Sequence, residues 1–242
     1  HAETKETGIS FEDSDVCVIL STSGTTGFPK GVMLTFKNLL VNIDAISCKE
    51  VPIFNKNSST LILLPLHHVM PLVGTLVAPI FSESQVVLCP TMSDIMASLQ
   101  RGKVTIMVGV PRLWQTLYNG IKKKIDESAL ASTLYKLCEK VGSYGFSKKV
   151  FASVHKKLGG HLIYCVSGGA ALDKEIGNGM KTLGITVLEG YGMTETSPMI
   201  CFTRPGDVIP GCSGLPLPCC ECKIIDGEMC VKGDNVMKGY YN

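Results

Sequence analysis

Hydroxyls, glycines and one lysine follow directly on an apolar run near the start of the chain. Residues 16–20 are Val-Cys-Val-Ile-Leu, and residues 21–31 are Ser-Thr-Ser-Gly-Thr-Thr-Gly-Phe-Pro-Lys-Gly. Hydroxyls donate hydrogen bonds, glycines let the backbone approach a ligand, and the lysine supplies a mobile cation. The order is not of the Walker type, because no Gly-Lys-Ser/Thr follows a glycine at the required interval. This composition predicts a loop that binds a polyphosphate.

A second stretch with chemically active side chains is residues 190–196, Gly-Tyr-Gly-Met-Thr-Glu-Thr, which follows another apolar run. It is not a dinucleotide fingerprint, because Glu195 stands where the third glycine would be. Tyr191 offers an aromatic face for a flat ring such as adenine, and Thr194 offers a hydroxyl for a phosphate. The carboxylate of Glu195 is a ligand that Mg²⁺ accepts. This stretch therefore offers groups for a flat ring, a phosphate and a divalent cation.

Two shorter segments between them are candidates for the same site. Residues 167–170, Ser-Gly-Gly-Ala, leave room for a nucleobase against the backbone, although tight helix packing also favours glycine. Residues 65–68, Pro-Leu-His-His, place two imidazoles after an apolar run. Each histidine could line a pocket or occupy a hydrogen-bonded core position, and the residues alone favour the core position.

The string Ser-Gly-Thr-Thr-Gly-Phe-Pro-Lys-Gly at residues 23–31 resembles the phosphate loop of the adenylate-forming superfamily, which includes acyl-CoA synthetases, peptide-synthetase adenylation domains and luciferases. The segments at 167–170 and 190–196 follow it in the family's order. The resemblance implies an ATP site with Mg²⁺ in which Thr25, Lys30, Thr194 and Glu195 are catalytic and in which Thr25 and Glu195 hold the metal. It also implies nucleotide contacts from Ser23, Gly24, Thr26, Gly27, Gly168, Gly169, Ala170, Gly190, Tyr191, Gly192 and Met193.

Two further strings resemble the long-chain branch of the acyl-CoA synthetases, namely Pro-Leu-His-His at 65–68 and Val-Pro-Arg-Leu-Trp at 110–114. This resemblance implies that His68 lines an acyl pocket. It also raises the hypothesis that Trp114 borders the acyl channel, whereas the residues alone favour a core aromatic. The implied reaction joins a carboxylic acid, in this branch a fatty acid, to ATP with release of pyrophosphate. The acyl group then passes to coenzyme A.

Two other functions stay open from the sequence. An amino-acid-activating adenylation domain is the nearest alternative, although no strand offers an obvious aspartate for an amino group. A non-catalytic nucleotide-binding module that retains the loops is the second. The chain does not begin with methionine, and it stops before the family's ribose-binding aspartate and carboxyl-terminal domain. We therefore expect a fragment that is at best a poor catalyst by itself, and the sequence predicts no oligomeric state.

Apolar runs of strand length alternate with helical patterns along most of the chain. The predicted strands are residues 60–64, 85–89, 104–108, 162–166 and 185–189, together with a buried strand before the phosphate loop. The predicted helices follow Thr35, span 70–81, run from a Ser93 cap to Gln100, cover a lysine-rich stretch at 121–158 broken at Gly142 and Gly145, and begin at Asp173. The alternation predicts an α/β fold with a doubly wound, mostly parallel sheet and flanking helices.

Two parts of the chain, the helix after Thr35 and the segment from Pro205, allow more specific predictions. Thr35 should cap a helix whose apolar face holds Phe36, Leu39, Leu40, Ile43 and Ile46, and whose N-terminus lies close to the phosphate loop. From Pro205 the sequence becomes rich in Gly, Pro and Cys with short alternating strands, which predicts the start of a small β-barrel subdomain. The expected division is a central α/β subdomain at 1–204 and a partial barrel at 205–242.

Composition narrows the class of partner and the compartment. A net charge of +2 over 242 residues gives no reason to expect nucleic acid as a partner. The cysteines lie mostly in apolar runs, so we expect reduced thiols and a cytoplasmic protein. A zinc site at Cys219, Cys220 and Cys222, with Cys212 and Cys230 nearby, is the less favoured alternative. Two histidines and three prolines oppose a membrane span at 61–81. A basic helical face leaves peripheral membrane contact open.

Overall fold

The structure is a computed structural model that describes residues 10–22 and 29–242. Its strands are β1 (Val16–Thr22), β2 (Lys30–Thr35), β3 (Ser59–Ile62), β4 (Gln85–Leu88), β5 (Ile106–Gly109), β6 (Tyr164–Ser167), β7 (Thr186–Gly192), β8 (Met199–Phe202), β9 (Leu215–Pro216), β10 (Cys220–Ile225), β11 (Glu228–Gly233) and β12 (Gly239–Tyr241). Its α-helices are α1 (Phe36–Ala45), α2 (Val69–Pro71), α3 (Ala78–Phe81), α4 (Ile95–Arg101), α5 (Pro111–Asp126), α6 (Ala129–Val141), α7 (Tyr144–Val150), α8 (Ala152–Lys157) and α9 (Lys174–Thr182). A π-helical stretch, Leu72–Val77, joins α2 to α3, so the helix predicted at 70–81 is present with an altered middle.

A seven-stranded sheet in the order β4-β3-β5-β6-β7-β8-β9 forms the centre of the described chain. The pairs from β4 to β7 are parallel, and β8 and β9 add antiparallel strands at one edge. The chain moves from β3 outward to β4 and then returns to place β5 on the other side of β3. This reversal is the topological switch point of a doubly wound sheet, so the predicted fold class is confirmed.

Alternate residues of the central strands pack on opposite faces of the sheet. Val108 and Val166 contact the core that contains α1 and the helix at 69–81. Met107 and Cys165 contact the core that contains α4, α5, α6 and α9. Because side chains alternate in direction along a strand, uninterrupted apolar runs are what a sheet covered on both faces requires.

The strand before the phosphate loop does not belong to this sheet. β1, β2 and β12 form a separate antiparallel sheet in that order. In β1 only Leu20 is buried, while Ile19 is 48% exposed. The prediction of a buried strand is therefore wrong, because β1 is the edge of a small sheet and covers one side only.

Helix α1 begins as expected, because the Thr35 hydroxyl accepts a hydrogen bond from the Asn38 amide at 3.2 Å in a capping box. Leu39 and Ile43 are buried, but Leu40 is exposed, so its assignment to the apolar face is wrong. The expected position of the helix N-terminus is also wrong. β2 runs from Lys30 to Thr35 before the helix starts, which places the N-terminus about 20 Å from Lys30, out of reach of phosphates bound there.

Several boundaries in the remaining helices follow the sequence signals. The Asp173 carboxylate caps α9 by accepting from the Glu175 amide at 2.7 Å, and Gly142 ends α6 with a φ of +66°. Gly145, in contrast, lies inside α7 and breaks nothing. Ser93 is not a helix cap, since a 3₁₀ turn at Met92–Asp94 precedes α4.

The chain beyond residue 205 adds β9 to the edge of the central sheet and then forms the β10–β11 hairpin. The division of the chain at 204 stays a prediction. No helix in the described ranges is both long and apolar enough to cross a bilayer.

Candidate functional site

A cleft of about 710 Å³ lies at the carboxyl ends of the parallel strands, beside the switch point between β3 and β5. The segments that follow β3, β5, β6 and β7 form its walls, and β2 and β12 close one side. The described residues that line it are Thr22, Lys30, Leu64, Pro65, His68, Val69, Met70, Pro71, Val110, Gly168, Gly169, Gly190, Gly192, Met193, Thr194, Glu195, Pro198, Met199 and Tyr240. This edge of a doubly wound sheet is where such folds bind ligands.

Lys30 and Glu195 both contact the side chain of Tyr240. The Lys30 ammonium lies 5.0 Å from the centroid of that ring, which is a cation–π distance. The Tyr240 hydroxyl donates a hydrogen bond to Glu195 Oε1 at 2.9 Å. Because that bond is made to the neutral phenol, the carboxylate raises the pKa of Tyr240 above its usual range. A cation and an anion from distant parts of the chain therefore face one cleft.

The turn that carries Thr194 and Glu195 is fixed from two sides. The Asn42 amide nitrogen donates to the Met199 carbonyl at 2.8 Å, and that of Asn235 donates to the Thr196 carbonyl at 3.2 Å. Both asparagines are fully buried. The Met237 amide also donates to the Glu195 carbonyl at 2.9 Å. Buried polar groups with such partners hold a loop in one conformation, so the carboxylate is presented on a rigid turn.

Glycine is required at two positions of this cleft for different reasons. Gly169 has a φ of +81°, a conformation that residues with a side chain rarely adopt. A Cβ on Gly192 would overlap the carbonyl oxygen of Pro198, because β8 folds back closely against the end of β7. The second glycine is thus explained by backbone packing within the protein, whether or not a ligand approaches it.

A smaller, wholly apolar pocket of about 40 Å³ adjoins the cleft behind Met70. It shares Met70, Pro198 and Met199 with the cleft, and the rest of its lining is Ile46, Ile53, Phe54, Val73, Gly74, Val108, Val166 and Phe202. Gly74 belongs to the π-helical stretch, a helical irregularity that is frequent at functional sites. His68 lines the cleft and not this pocket, and the centroid of its ring lies 4.3 Å from that of His67.

Glu189, just before the cleft, is a buried carboxyl that sequence reasoning did not single out. Its Oε1 accepts a hydrogen bond from the Gly211 amide at 2.7 Å. Burial raises the pKa of this carboxyl above its ordinary value, and the hydrogen bond opposes the shift. Glu189 does not line the cleft, so its contact ties β7 to the loop before β9.

The structure brings together most, but not all, of the residues expected at the site. Among the described candidates, Lys30, His68, Gly168, Gly169, Gly190, Gly192, Met193, Thr194 and Glu195 line the cleft. Ala170 and Tyr191 are exposed and are not among its walls, and their assignment to adenine stays a prediction. Ser23, Gly24, Thr25, Thr26 and Gly27 lie outside the described residues.

Trp114 is placed away from the cleft. It is fully buried on α5, in the core on the other face of the sheet, where it packs on Gly109. This is the core position that the sequence favoured. The geometry offers no contact between Trp114 and the cleft or its apolar extension, so the hypothesis of an acyl-channel residue has no support here.

Among the residues of the site that the sequence did not indicate are Tyr240, which lines the cleft, and Asn42 and Asn235, which hold its turn. Asn38 and Asn42 carried a usable signal, because two asparagines four residues apart on the apolar side of α1 need buried partners. Asn38 donates to the carbonyls of Asp234 and Val236 at 2.7 and 2.9 Å, as such a signal would suggest. For Tyr240 no pattern in the sequence indicated a role, since only strand pairing brings it to Lys30.

Similar proteins are known for nearly the whole chain. Long chain acyl-CoA synthetase 7, peroxisomal, from Arabidopsis thaliana is 33% identical over 94% of this chain and 36% of its own length. Long-chain-fatty-acid–CoA ligase 6 from Mus musculus is 34% identical over 93% of this chain and 36% of its own length. Long-chain-fatty-acid–CoA ligase FadD15 from Mycobacterium bovis is 29% identical over 96% of this chain and 42% of its own length. The chain thus spans well under half the length of these relatives.

Solved structures agree with this fold. ATP-bound MatB from Rhodopseudomonas palustris superimposes with a TM-score of 0.71 at 27% identity, over 96% of this chain and 42% of that one. The o-succinylbenzoate coenzyme A synthetase of Bacillus subtilis in complex with AMP gives 0.69 at 26% identity, over 96% and 43%. A family model described as AMP-binding enzyme matches residues 2–241. The chain therefore belongs to the AMP-binding enzyme family.

Proposed function

We propose that this chain is part of an acid–thiol ligase that activates a long-chain fatty acid with ATP and transfers the acyl group to coenzyme A. The observation that carries the proposal is the cleft itself, which Lys30 and Glu195 both line, each in contact with Tyr240, and which adjoins an apolar pocket. A polyanion, a divalent cation and an alkyl chain would each meet matching chemistry there. The names of the relatives supply the substrate class.

In this proposal the phosphates of ATP lie on the side of Lys30, together with Thr25 and Thr26 of the preceding loop. Thr194 contacts the α-phosphate, and the backbone at Gly168 and Gly169 faces the adenine. The fatty acid carboxylate attacks the α-phosphorus, so that a new P–O bond forms and pyrophosphate leaves. The protein contributes by orienting the reactants and by neutralising charge with Lys30.

The residues present fit a magnesium ion. Mg²⁺ binds oxygen ligands and commonly takes one or two carboxylates, with waters and phosphate oxygens completing its shell. Tyr240 occupies Oε1 of Glu195, and no protein hydrogen bond to Oε2 is found among the described residues. When bound, Mg²⁺ would offset the charge of the triphosphate. Glu195 and Thr25 are the side chains proposed to hold it.

The first methylene groups of the acyl chain are proposed to enter the apolar pocket behind Met70, whose volume of about 40 Å³ suits a short alkyl segment. All of its lining residues are apolar, and it shares Met70, Pro198 and Met199 with the cleft. His68, which lines the cleft, would then stand near the carboxylate end. Burial of an alkyl chain there gains about 0.8 kcal/mol for each methylene group removed from water.

The lining of the cleft disfavours the amino-acid-activating alternative. Glu195 is the single carboxylate among the described lining residues, and the proposed metal already occupies it. An α-amino group would need a second carboxylate. A cytoplasmic location and peripheral contact with membranes stay predictions, and one relative carries the word peroxisomal in its name.

Trapping of the acyl-adenylate with hydroxylamine tests the proposal. The chain, or the longer protein in which it occurs, is incubated with Mg·ATP and acids from acetate to stearate, and with amino acids as a separate set. We expect hydroxamate with long-chain acids at full length and a very weak signal from the 242 residues. Full-rate product from the chain alone would contradict the predicted weakness. Amino acid hydroxamates would support an adenylation domain, and ATP binding without any hydroxamate would support a binding module.

A further inference from the structure

Tyr240 reaches the cleft because a short segment near residue 240 connects both of its sides. The Met237 amide donates to the Glu195 carbonyl at 2.9 Å, and the Lys238 amide donates to the Met33 carbonyl at 3.0 Å. From Gly239 the segment pairs with β2 as strand β12. One continuous stretch of backbone therefore spans from the turn of Glu195 to the strand of Lys30.

Strand register determines which way the two tyrosines of β12 face. Tyr240 pairs with Val32 and Tyr241 with Gly31. Paired residues share a face of the sheet and alternate residues share a face along a strand, so Tyr240 lies on the side of Val32 and Lys30. Tyr241 lies on the opposite side, where a Cβ added to Gly31 would lie 3.3 Å from the Tyr241 Cβ. The two residues are chemically identical neighbours with different surroundings.

Two separate contacts of Tyr240 concern the charged groups of the site. Its hydroxyl donates a hydrogen bond to Glu195 Oε1 at 2.9 Å. The Lys30 ammonium lies over the face of its ring, 5.0 Å from the ring centroid. Neither charged side chain is deeply buried, and Lys30 is exposed. Without a support both would sample many rotamers, and that freedom would be lost on ligand binding.

We propose that Tyr240 is a positioning residue that orients Glu195 for the divalent cation through its hydroxyl and Lys30 for the phosphates through its ring. The inference rests on the proposed function, because it presumes that a metal nucleotide is the ligand. In this inference Tyr240 contacts neither ATP nor the fatty acid. Tyr240 thus affects both cation binding and phosphate binding. Its hydroxyl serves the first and its ring serves the second, so substitutions can separate the two effects.

The experiment measures ATP binding to the chain, or to the longer protein, by calorimetry, first in EDTA and then in a titration with Mn²⁺ as the metal probe. Tyr240→Phe keeps the ring and removes the hydroxyl. We expect it to raise the Mn²⁺ concentration for half-maximal enhancement about fivefold to tenfold, while ATP affinity in EDTA changes less than about twofold. Tyr240→Leu removes the ring as well, and should also weaken ATP binding in EDTA about threefold.

Tyr241→Phe is the matched control and should leave both readouts unchanged, and thermal unfolding reports the folding of every variant. The inference is overturned when Tyr240→Phe behaves like Tyr241→Phe, or when both Tyr240 variants change the two readouts in equal proportion, as a merely structural role would. A Glu195→Gln variant separates a failure of this inference from a failure of the proposed function. If it abolishes the Mn²⁺ effect while Tyr240→Phe does not alter it, only this inference fails. If the unmodified protein binds no ATP, the proposed function fails and the inference fails with it.

Discussion

Asn42 of α1 donates a hydrogen bond to the carbonyl of Met199 at 2.8 Å, although 157 residues separate the two in the chain. The Asn42 amide oxygen in turn accepts from the Met199 amide at 3.3 Å. Both groups lie between the helix and the turn that presents Glu195. A fully buried side chain that satisfies both main-chain groups of one residue acts as a local substitute for strand pairing.

Substitution of Asn42 should therefore weaken the fold and the site together. Asn42→Ala leaves the Met199 amide without the Asn42 oxygen, while the Met199 carbonyl keeps only the Asn235 amide nitrogen at 3.2 Å. We therefore expect a loss of about 1–3 kcal/mol in the free energy of unfolding. Urea unfolding measures it. Asn119→Ala, at an exposed position of α5, is the control and should cost well under that amount. Equal effects of the two substitutions would show that the contact of Asn42 with Met199 is unimportant.

Gly74 offers a way to shorten the apolar pocket. A Cβ at this position would have only Val108 within 4 Å, at 3.9 Å, so a side chain can enter without a backbone clash. Gly74→Leu should fill the pocket and lower kcat/KM for the longest acids about tenfold relative to short ones, since each excluded methylene forfeits about 0.8 kcal/mol. A panel of acids of graded length measures this change.

The control for Gly74 is Gly120→Leu in α5, where a Cβ meets nothing within 4 Å. It should leave the chain-length profile unaltered. An identical profile for Gly74→Leu and the unmodified protein would remove the proposed route of the acyl chain.

Trp114 should matter for stability and not for substrate choice. Trp114→Ala would leave a large cavity in the second core and should cost about 3–5 kcal/mol of unfolding free energy. The milder Trp114→Phe keeps most of the buried surface, so the protein can be assayed. We expect its chain-length preference to match that of the unmodified protein. A shift toward shorter or longer acids in Trp114→Phe would restore the acyl-channel hypothesis.

Glu189 should make stability depend on pH in a direction opposite to that of most carboxylates. Because burial raises its pKa in the folded protein, the folded state keeps the proton to a higher pH than the unfolded state does. Its contribution to stability is complete below the unfolded pKa and is lost as the pH rises through the folded pKa.

Glu189→Gln carries no charge and keeps an oxygen for the Gly211 amide. We therefore expect it to be more stable than the unmodified protein near neutral pH, with the difference vanishing below about pH 4. Urea midpoints measured across this pH range test the expectation. Glu127→Gln, at an exposed position, provides the control. A variant of Glu189 that loses stability at neutral pH would contradict the assigned direction.

Local patterns in the sequence were enough for much of the architecture. The apolar runs at β3, β5, β6 and β7 indicate buried parallel strands, because both faces of those strands are covered. Asp173 and Thr35 indicate helix starts, since the side chain of an N-cap accepts a hydrogen bond from a backbone amide two or three residues later. The prediction of a buried strand at β1 was wrong, because apolar character does not tell which sheet a strand joins.

The sequence by itself determined which chemistry this chain can offer: a hydroxyl- and glycine-rich loop with Lys30, and a Thr-Glu pair after a strand. These are properties of residue type and near spacing, which are set before folding. Only the tertiary structure decided that β12 pairs with β2, that Tyr240 joins Lys30 to Glu195, and that Asn42 and Asn235 hold the turn. Those contacts link residues far apart in the chain. They depend on sheet order and register, which no local pattern specifies.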